Sequence, residues 1–220
     1  MYDTILFDLD GTLTDPGEGV TNSVAYALEK RGIHVADHRE LYCFIGPPLH
    51  VSFQTFYGFT AEEATHAIVD YREYYRDRGI YENVVYDGME DVLRTLQAAG
   101  KTLAVATSKP EVFARRVLEH FHLNGYFDVI AGASMDTSRT AKSDIITYAL
   151  AELTAKAGKA PDPKKTLMIG DRSHDIHGAA NNGLDSMGIL YGYGDRAEME
   201  EAQATYIAET VADILPIALS

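Results

Sequence analysis

The stretch Ile5-Leu6-Phe7-Asp8-Leu9-Asp10-Gly11-Thr12 decides how the rest of the chain is read. Three apolar residues run into an acidic turn, as in a short strand buried on both faces of a parallel sheet. Extended backbone alternates its side chains, so Asp8 and Asp10 share one side and Leu9 takes the other. Gly11 lets the backbone turn sharply after them. Two carboxylates this close repel each other and persist where a cation shares them or one keeps a proton. The carboxyl end of a strand is also where open α/β sheets bind ligands.

Four further apolar runs repeat the pattern: Leu103-Ala104-Val105-Ala106, Val129-Ile130-Ala131, Leu167-Met168-Ile169 and Met187-Gly188-Ile189-Leu190. Between them lie helical spacings: Met89, Val92, Leu93 and Leu96; Phe113, Val117 and Phe121; Ile145, Ile146, Ala149, Leu150 and Leu153. Strands alternating with helices predict an α/β fold, a doubly wound, Rossmann-like parallel sheet. Residues 15–86 break the alternation. Val20, Val24, Ala27 and Leu28 fit one helix and residues 61–78 another, with no clear buried strand. The expected organisation is a core of residues 1–15 and 87–220 with an inserted helical cap, 16–86. Gly17, Gly19 and the Tyr86-Asp87-Gly88 turn are the expected crossing points, with hinges that let the cap open and close.

The composition narrows the partners. The 220 residues carry 19 Lys and Arg against 33 Asp and Glu, a net charge of −14, which would repel a nucleic-acid polymer. A small anion is not excluded, because a bound divalent cation reverses the local field. No run approaches the roughly 18 apolar residues of a membrane span, and the N-terminus lacks the features of a signal peptide. The single cysteine, Cys43, precludes an internal disulfide and reads as a small buried hydrophobe. A cytoplasmic protein, monomeric or a small homo-oligomer, is the expectation.

A second acidic strand end follows at Met168-Ile169-Gly170-Asp171-Arg172-Ser173-His174-Asp175. Asp171 sits at the end of the strand, and Asp175 begins a helix, where a carboxylate also suits the helix dipole. Carboxylates without histidine or thiolate partners suit a hard cation such as Mg²⁺, so His174 and His177 read as surface or supporting residues. Thr107-Ser108 closes another strand just before a helix starting near Glu111, a place for an anion or simply for a cap. Lys142 precedes the helix at Ile145 and offers a cation to a phosphate surrounded by acids.

Asp8-Leu9-Asp10-Gly11-Thr12, Thr107-Ser108-Lys109, Lys142, and Gly170-Asp171 with Asp175 together resemble the four ordered motifs of the haloacid dehalogenase superfamily. The match spans nearly the whole chain. The inserted helices resemble the cap of its phosphoglycolate phosphatase-like branch. The 170–176 segment, with Leu190-Tyr191-Gly192-Tyr193-Gly194, resembles a bacterial 5'-nucleotidase-like subgroup. The resemblance implies a Mg²⁺-dependent phosphomonoester hydrolase. Asp8 would be the nucleophile and Asp10 the acid and base. Thr107, Ser108 and Lys142 would hold the phosphoryl group. Asp8, the backbone oxygen of Asp10 and Asp171 would hold the metal, and Asp175 would orient its waters or Lys142. The acid at Asp10 separates this reading from a dehalogenase. The substrate implied is a small phosphorylated metabolite, a nucleoside 5'-monophosphate; phosphoglycolate phosphatase and sugar phosphomutase are the alternatives. Substrate choice would fall to the cap, with Gly46 and Pro47 in a stiff loop and Arg72 as an anion contact. The many cap rings read as its own core.

Overall fold

Strand β1 (Thr4–Phe7) is the centre of the structure, a computed structural model describing residues 1–220. All four of its residues are buried, as a strand with neighbours on both edges requires. Strand β2 (Thr14–Asp15) follows, then α1 (Gly17–Glu29), α2 (Leu49–Tyr57), α3 (Ala61–Tyr74) and strand β3 (Val84–Val85), which pairs with β2 as a short ribbon. The remaining elements alternate: α4 (Met89–Ala98), β4 (Thr102–Pro110), α5 (Glu111–His120), β5 (Val129–Ala133), α6 (Lys142–Ala157), β6 (Thr166–Gly170), α7 (Ser173–Asn181), β7 (Asp185–Ile189), α8 (Arg196–Glu201), β8 (Tyr206–Ala208) and α9 (Ile214–Ala218). The chain divides into two compact units, Met1–Thr14 with Val85–Ser220, and Asp15–Val84.

The first unit is a six-stranded sheet in the order β5-β4-β1-β6-β7-β8, every pair parallel. Phe7 lies level with Val105 on one side and Ile169 on the other. The residues that follow these three positions therefore emerge together, at the point where the strand order reverses direction. Leu6, Ala104, Ala106, Ala131 and Met168 form one buried face with Ile145, Ile146, Ala149 and Leu153 of α6 and Ala179 of α7. Helices α4 and α5 contribute nothing to that cluster and contact β4 and β5 from the opposite face, which makes the sheet doubly wound. The outer edge of β5 is blunted by three cations that donate to alternate carbonyls: Lys156 to Asp128, Arg115 to Ile130 and Arg139 to Gly132. Occupied carbonyls on an edge strand discourage pairing with another chain.

The second unit is helical. Rings from Phe44, Phe53, Phe56, Tyr57 and Phe59 pack against one another, so much of the aromatic content serves as core. Helix α3 continues through a π-helical turn, Tyr75–Gly79, matching the helix expected over 61–78. Two expectations change. Gly17 and Gly19 are not at a crossing but inside α1. At Gly19 a side chain would place its Cβ 1.9 Å from the Gly79 carbonyl oxygen, so this glycine permits a close backbone contact. Cys43, read as buried, is partly exposed, with Sγ 3.4 Å from the Glu40 carbonyl. The sequence does not mark strand β8, because Tyr206-Ile207-Ala208 has no strong apolar run of its own.

Candidate active site

Chain geometry brings the acidic strand ends together. Asp8 follows β1, and its amide donates to the Ile169 carbonyl at 2.9 Å, extending the pairing one residue past the strand. Asp8 Oδ1 accepts from the Leu9 amide at 2.7 Å. Gly11 then turns with φ of +81°, and a Cβ there would sit 2.1 Å from Asp171 Oδ2. Only glycine meets both demands without strain. Asp171, immediately after β6, is fully buried; its Oδ2 accepts from the Tyr193 amide at 2.9 Å and its Oδ1 has no hydrogen-bond partner. Asp175 in the first turn of α7 is also buried, and its Oδ2 accepts from the Arg172 amide at 3.2 Å. It thereby caps α7 as well as facing the cluster.

Lys142, the first residue of α6, joins two of these acids. Its Nζ lies 3.0 Å from Asp8 Oδ1 and 2.6 Å from Asp175 Oδ1, and it donates to the Ala106 carbonyl at 3.1 Å. Burial works to lower its pKa, but the Asp175 and Asp8 charges outweigh that and hold it above the usual lysine value. Burial pushes Asp171 well up, helped by the charges of Asp175 and Asp8. Burial also raises Asp175, to about 6, against the opposing pull of Lys142. Asp10 points elsewhere. Its Oδ2 pairs with Lys109 Nζ at 2.5 Å, while Oδ1 is buried without a partner. Burial raises Asp10 too, although Lys109 counteracts it.

Oxygens of Asp8, Asp171 and Asp175 lie within 4.8 Å of one another. The donor set is oxygen only, and one oxygen of Asp171 is a buried orphan. Four carboxylates stand near two ammonium groups here, so in their ionised form they would carry two more negative charges than the lysines balance. These features fit a small, hard dication.

Of the other residues singled out from the sequence, Thr107 is buried at the end of the regular part of β4, and its Oγ1 accepts from the Lys109 amide at 3.2 Å. Ser108 is half-buried beside it. His174 and His177 are exposed on α7. Gly46, Pro47 and Arg72 belong to the second unit. Gly46 has φ of +99° and precedes α2 by two prolines. The half-buried Arg72 guanidinium is depressed by burial.

Three further residues contribute whose roles the sequence does not reveal: Lys109 and Tyr191, which stand within its motifs, and Glu198. Tyr191 donates to the Thr12 carbonyl at 3.1 Å and stacks edge-on against Tyr86, which ties the Asp10–Thr12 turn to the far end of the chain. Glu198 accepts from the Ser173 amide at 2.6 Å and from Arg172, holding the loop between Asp171 and Asp175. No local signal reveals the last two, since each partner lies more than 20 residues away.

Known proteins resemble this chain in sequence and in fold. A 5'-nucleotidase of Pseudomonas aeruginosa is 45% identical over 211 residues, covering 96% of this chain and 93% of its own. The tyrosine-protein kinase PtkA of Mycobacterium tuberculosis is 43% identical over 211 residues, 96% of this chain and 69% of that protein. The crystal structure of a predicted phosphatase from Clostridium acetobutylicum superposes with a TM-score of 0.94 at 46% identity, covering 100% of this chain and 99% of that one. Residues 5–189 match the haloacid dehalogenase-like hydrolase pattern, and the chain belongs to that family.

Proposed function

We propose that this hydrolase is a Mg²⁺-dependent phosphomonoesterase acting through an aspartyl-phosphate on Asp8, with a nucleoside 5'-monophosphate as substrate. The observation that carries the reading is the separation of two adjacent carboxylates into different environments: Asp8 in the Lys142–Asp171–Asp175 cluster, Asp10 apart on Lys109. Paired titratable groups pushed into different surroundings are suited to different chemical roles.

In the first step an Asp8 oxygen attacks phosphorus and the bond to the ester oxygen breaks. Asp10 gives its proton to that departing oxygen. In the second step water attacks the aspartyl phosphate, its proton passes to Asp10, and phosphate leaves Asp8 unmodified. Splitting one displacement in two lowers each barrier. A raised pKa at Asp10 supports its carrying the first proton. Lys142 neutralises phosphoryl oxygens as charge redistributes, and Thr107 and Ser108 add donors at the end of β4. Asp8, the Asp10 carbonyl and Asp171 would hold Mg²⁺, with Asp175 setting the position of Lys142; the ion supplies positive charge against the nucleophile and the phosphoryl oxygens. The nucleotide preference rests on the relative named 5'-nucleotidase.

The test is a phosphate-ester panel of nucleoside monophosphates, phosphoglycolate and sugar phosphates, run with Mg²⁺ and with chelator. Hydrolysis that needs Mg²⁺, favours the nucleotides and vanishes in Asp8→Asn is expected. Full activity in that variant would overturn the mechanism, and a preference for phosphoglycolate would overturn the substrate. Because one relative is named as a tyrosine kinase, the panel includes ATP with a tyrosine peptide. Phosphotyrosine formation would shift the reading from hydrolysis to transfer.

A further inference from the structure

We propose that Lys109 is a positioning residue for Asp10: it anchors one carboxyl oxygen so that the other is aimed at the leaving group. The proposal rests on the reading of Asp10 as acid and base.

Lys109 and Asp10 are 99 residues apart in sequence, yet Nζ and Oδ2 meet at 2.5 Å with side-chain exposures of only 5% and 15%. A pair so enclosed is held by its surroundings, unlike a surface pair that exchanges with water. The carboxyl group is thereby divided: Oδ2 is occupied, while Oδ1 is buried and has no partner. An orphaned buried acceptor is costly and calls for an explanation, of which a catalytic role is one. In the proposed reaction Oδ1 is the oxygen that gives the proton to the ester oxygen and later takes one from water. Lys109 makes and breaks no bond. It prevents the carboxyl from rotating, so the working oxygen stays where the reacting atoms arrive.

The sheet is built to deliver this lysine. Thr107 pairs with Gly132, but the next pairing is Pro110 with Ala133, so Ser108 and Lys109 are extra residues bulged out of β4. A bulge redirects a side chain that regular alternation would send elsewhere. The turn is held by the Lys109 amide donating to Thr107 Oγ1, and Gly132 makes room for it: a Cβ there would fall 2.6 Å from the Lys109 carbonyl oxygen. Lys142 cannot substitute, because it is committed to Asp8 and Asp175.

The test reads single-turnover release of the alcohol from p-nitrophenyl phosphate, whose leaving group needs no proton, and from glycerol 2-phosphate, whose leaving group does. Asp10→Asn, Lys109→Met, Lys109→Arg and the Asp10→Asn/Lys109→Met double variant are compared. Lys109→Met is expected to slow the alkyl ester about 100-fold, a typical general-acid contribution. On p-nitrophenyl phosphate the loss should stay within about 5-fold, with KM little changed. Lys109→Arg should recover most of the difference, and the double variant should lose little beyond Asp10→Asn, because the lysine acts through the aspartate. Equal losses on both esters, with or without a raised KM, would overturn the proposal in favour of a direct phosphate contact or a merely structural role. Should Lys109→Met not fold, Lys109→Gln is read by the same criteria. If Asp10→Asn itself slows both esters alike, the acid role of Asp10 falls and the proposal falls with it. If only the lysine variants fail to discriminate, the acid role stands and the proposal alone is lost.

Discussion

Asp8 and Asp10 sit two residues apart on one strand end, and each has its own lysine. Lys142 is the more heavily committed, touching Asp8, Asp175 and the Ala106 carbonyl. Replacing it with Met keeps most of the volume and removes the charge. Asp8 and Asp175 are then left buried against each other, which should destabilise the metal-free protein by about 3–5 kcal/mol, as removal of one partner of a buried pair does. Denaturant unfolding in chelator reads that loss, and kcat should fall at least about 100-fold as the proposed phosphoryl-oxygen donor disappears. Near-normal stability in Lys142→Met would mean that the two acids take up protons instead of needing the lysine.

Among the elements, β4 and β5 carry the most specific demand. The bulge in β4 exists only while Gly132 on β5 leaves space for it. Gly132→Ala sets a methyl group 2.6 Å from the backbone of both Lys109 and Glu111. Overpacking of this kind typically costs about 1–3 kcal/mol, measurable as a lower denaturant midpoint. The displaced lysine should also make alkyl esters suffer more than p-nitrophenyl phosphate. A Gly132→Ala protein that is less stable but unchanged in its preference between the two esters would separate the bulge from the chemistry.

At the scale of the whole molecule the proposed metal site would couple stability to metal and to pH. Asp171 and Asp175 titrate above their unfolded values, Asp175 near 6. A raised folded pKa favours the native state while the group is protonated, and that contribution is lost as pH rises through the folded pKa. The metal-free protein should therefore gain stability as pH falls from 7.5 towards 5. Mg²⁺ held as proposed would compete with those protons for the same oxygens, so its stabilisation should be large at pH 7.5 and small at pH 5. At 100-fold above its Kd a ligand contributes roughly 2.7 kcal/mol, which for a chain of this size moves Tm by about 5–10 °C. Thermal melts with Mg²⁺ and with chelator at both pH values check this, and a shift of equal size at the two pH values would count against the metal site. No helix of the chain is long and apolar enough to cross a membrane.

Much of this was legible from residues alone. The apolar runs around Ile5, Leu103, Val129, Leu167 and Met187 marked the five principal strands, because strands buried on both faces are continuous in sequence. The carboxylates after β1 and β6 and the lysine at the start of α6 could be picked out because strand ends and helix starts leave local traces. Which carboxylate each lysine holds could not, since Lys109 reaches Asp10 through a bulge that depends on a neighbouring strand. Nor could the roles of Tyr191 and Glu198 be found, or Gly19 be recognised as a packing glycine instead of a crossing point. Periodicity and motif order are properties of neighbours along the chain, and they determined the architecture and the chemical groups. The division of the two aspartates between two lysines is a property of neighbours in space, and only the packed sheet decides it.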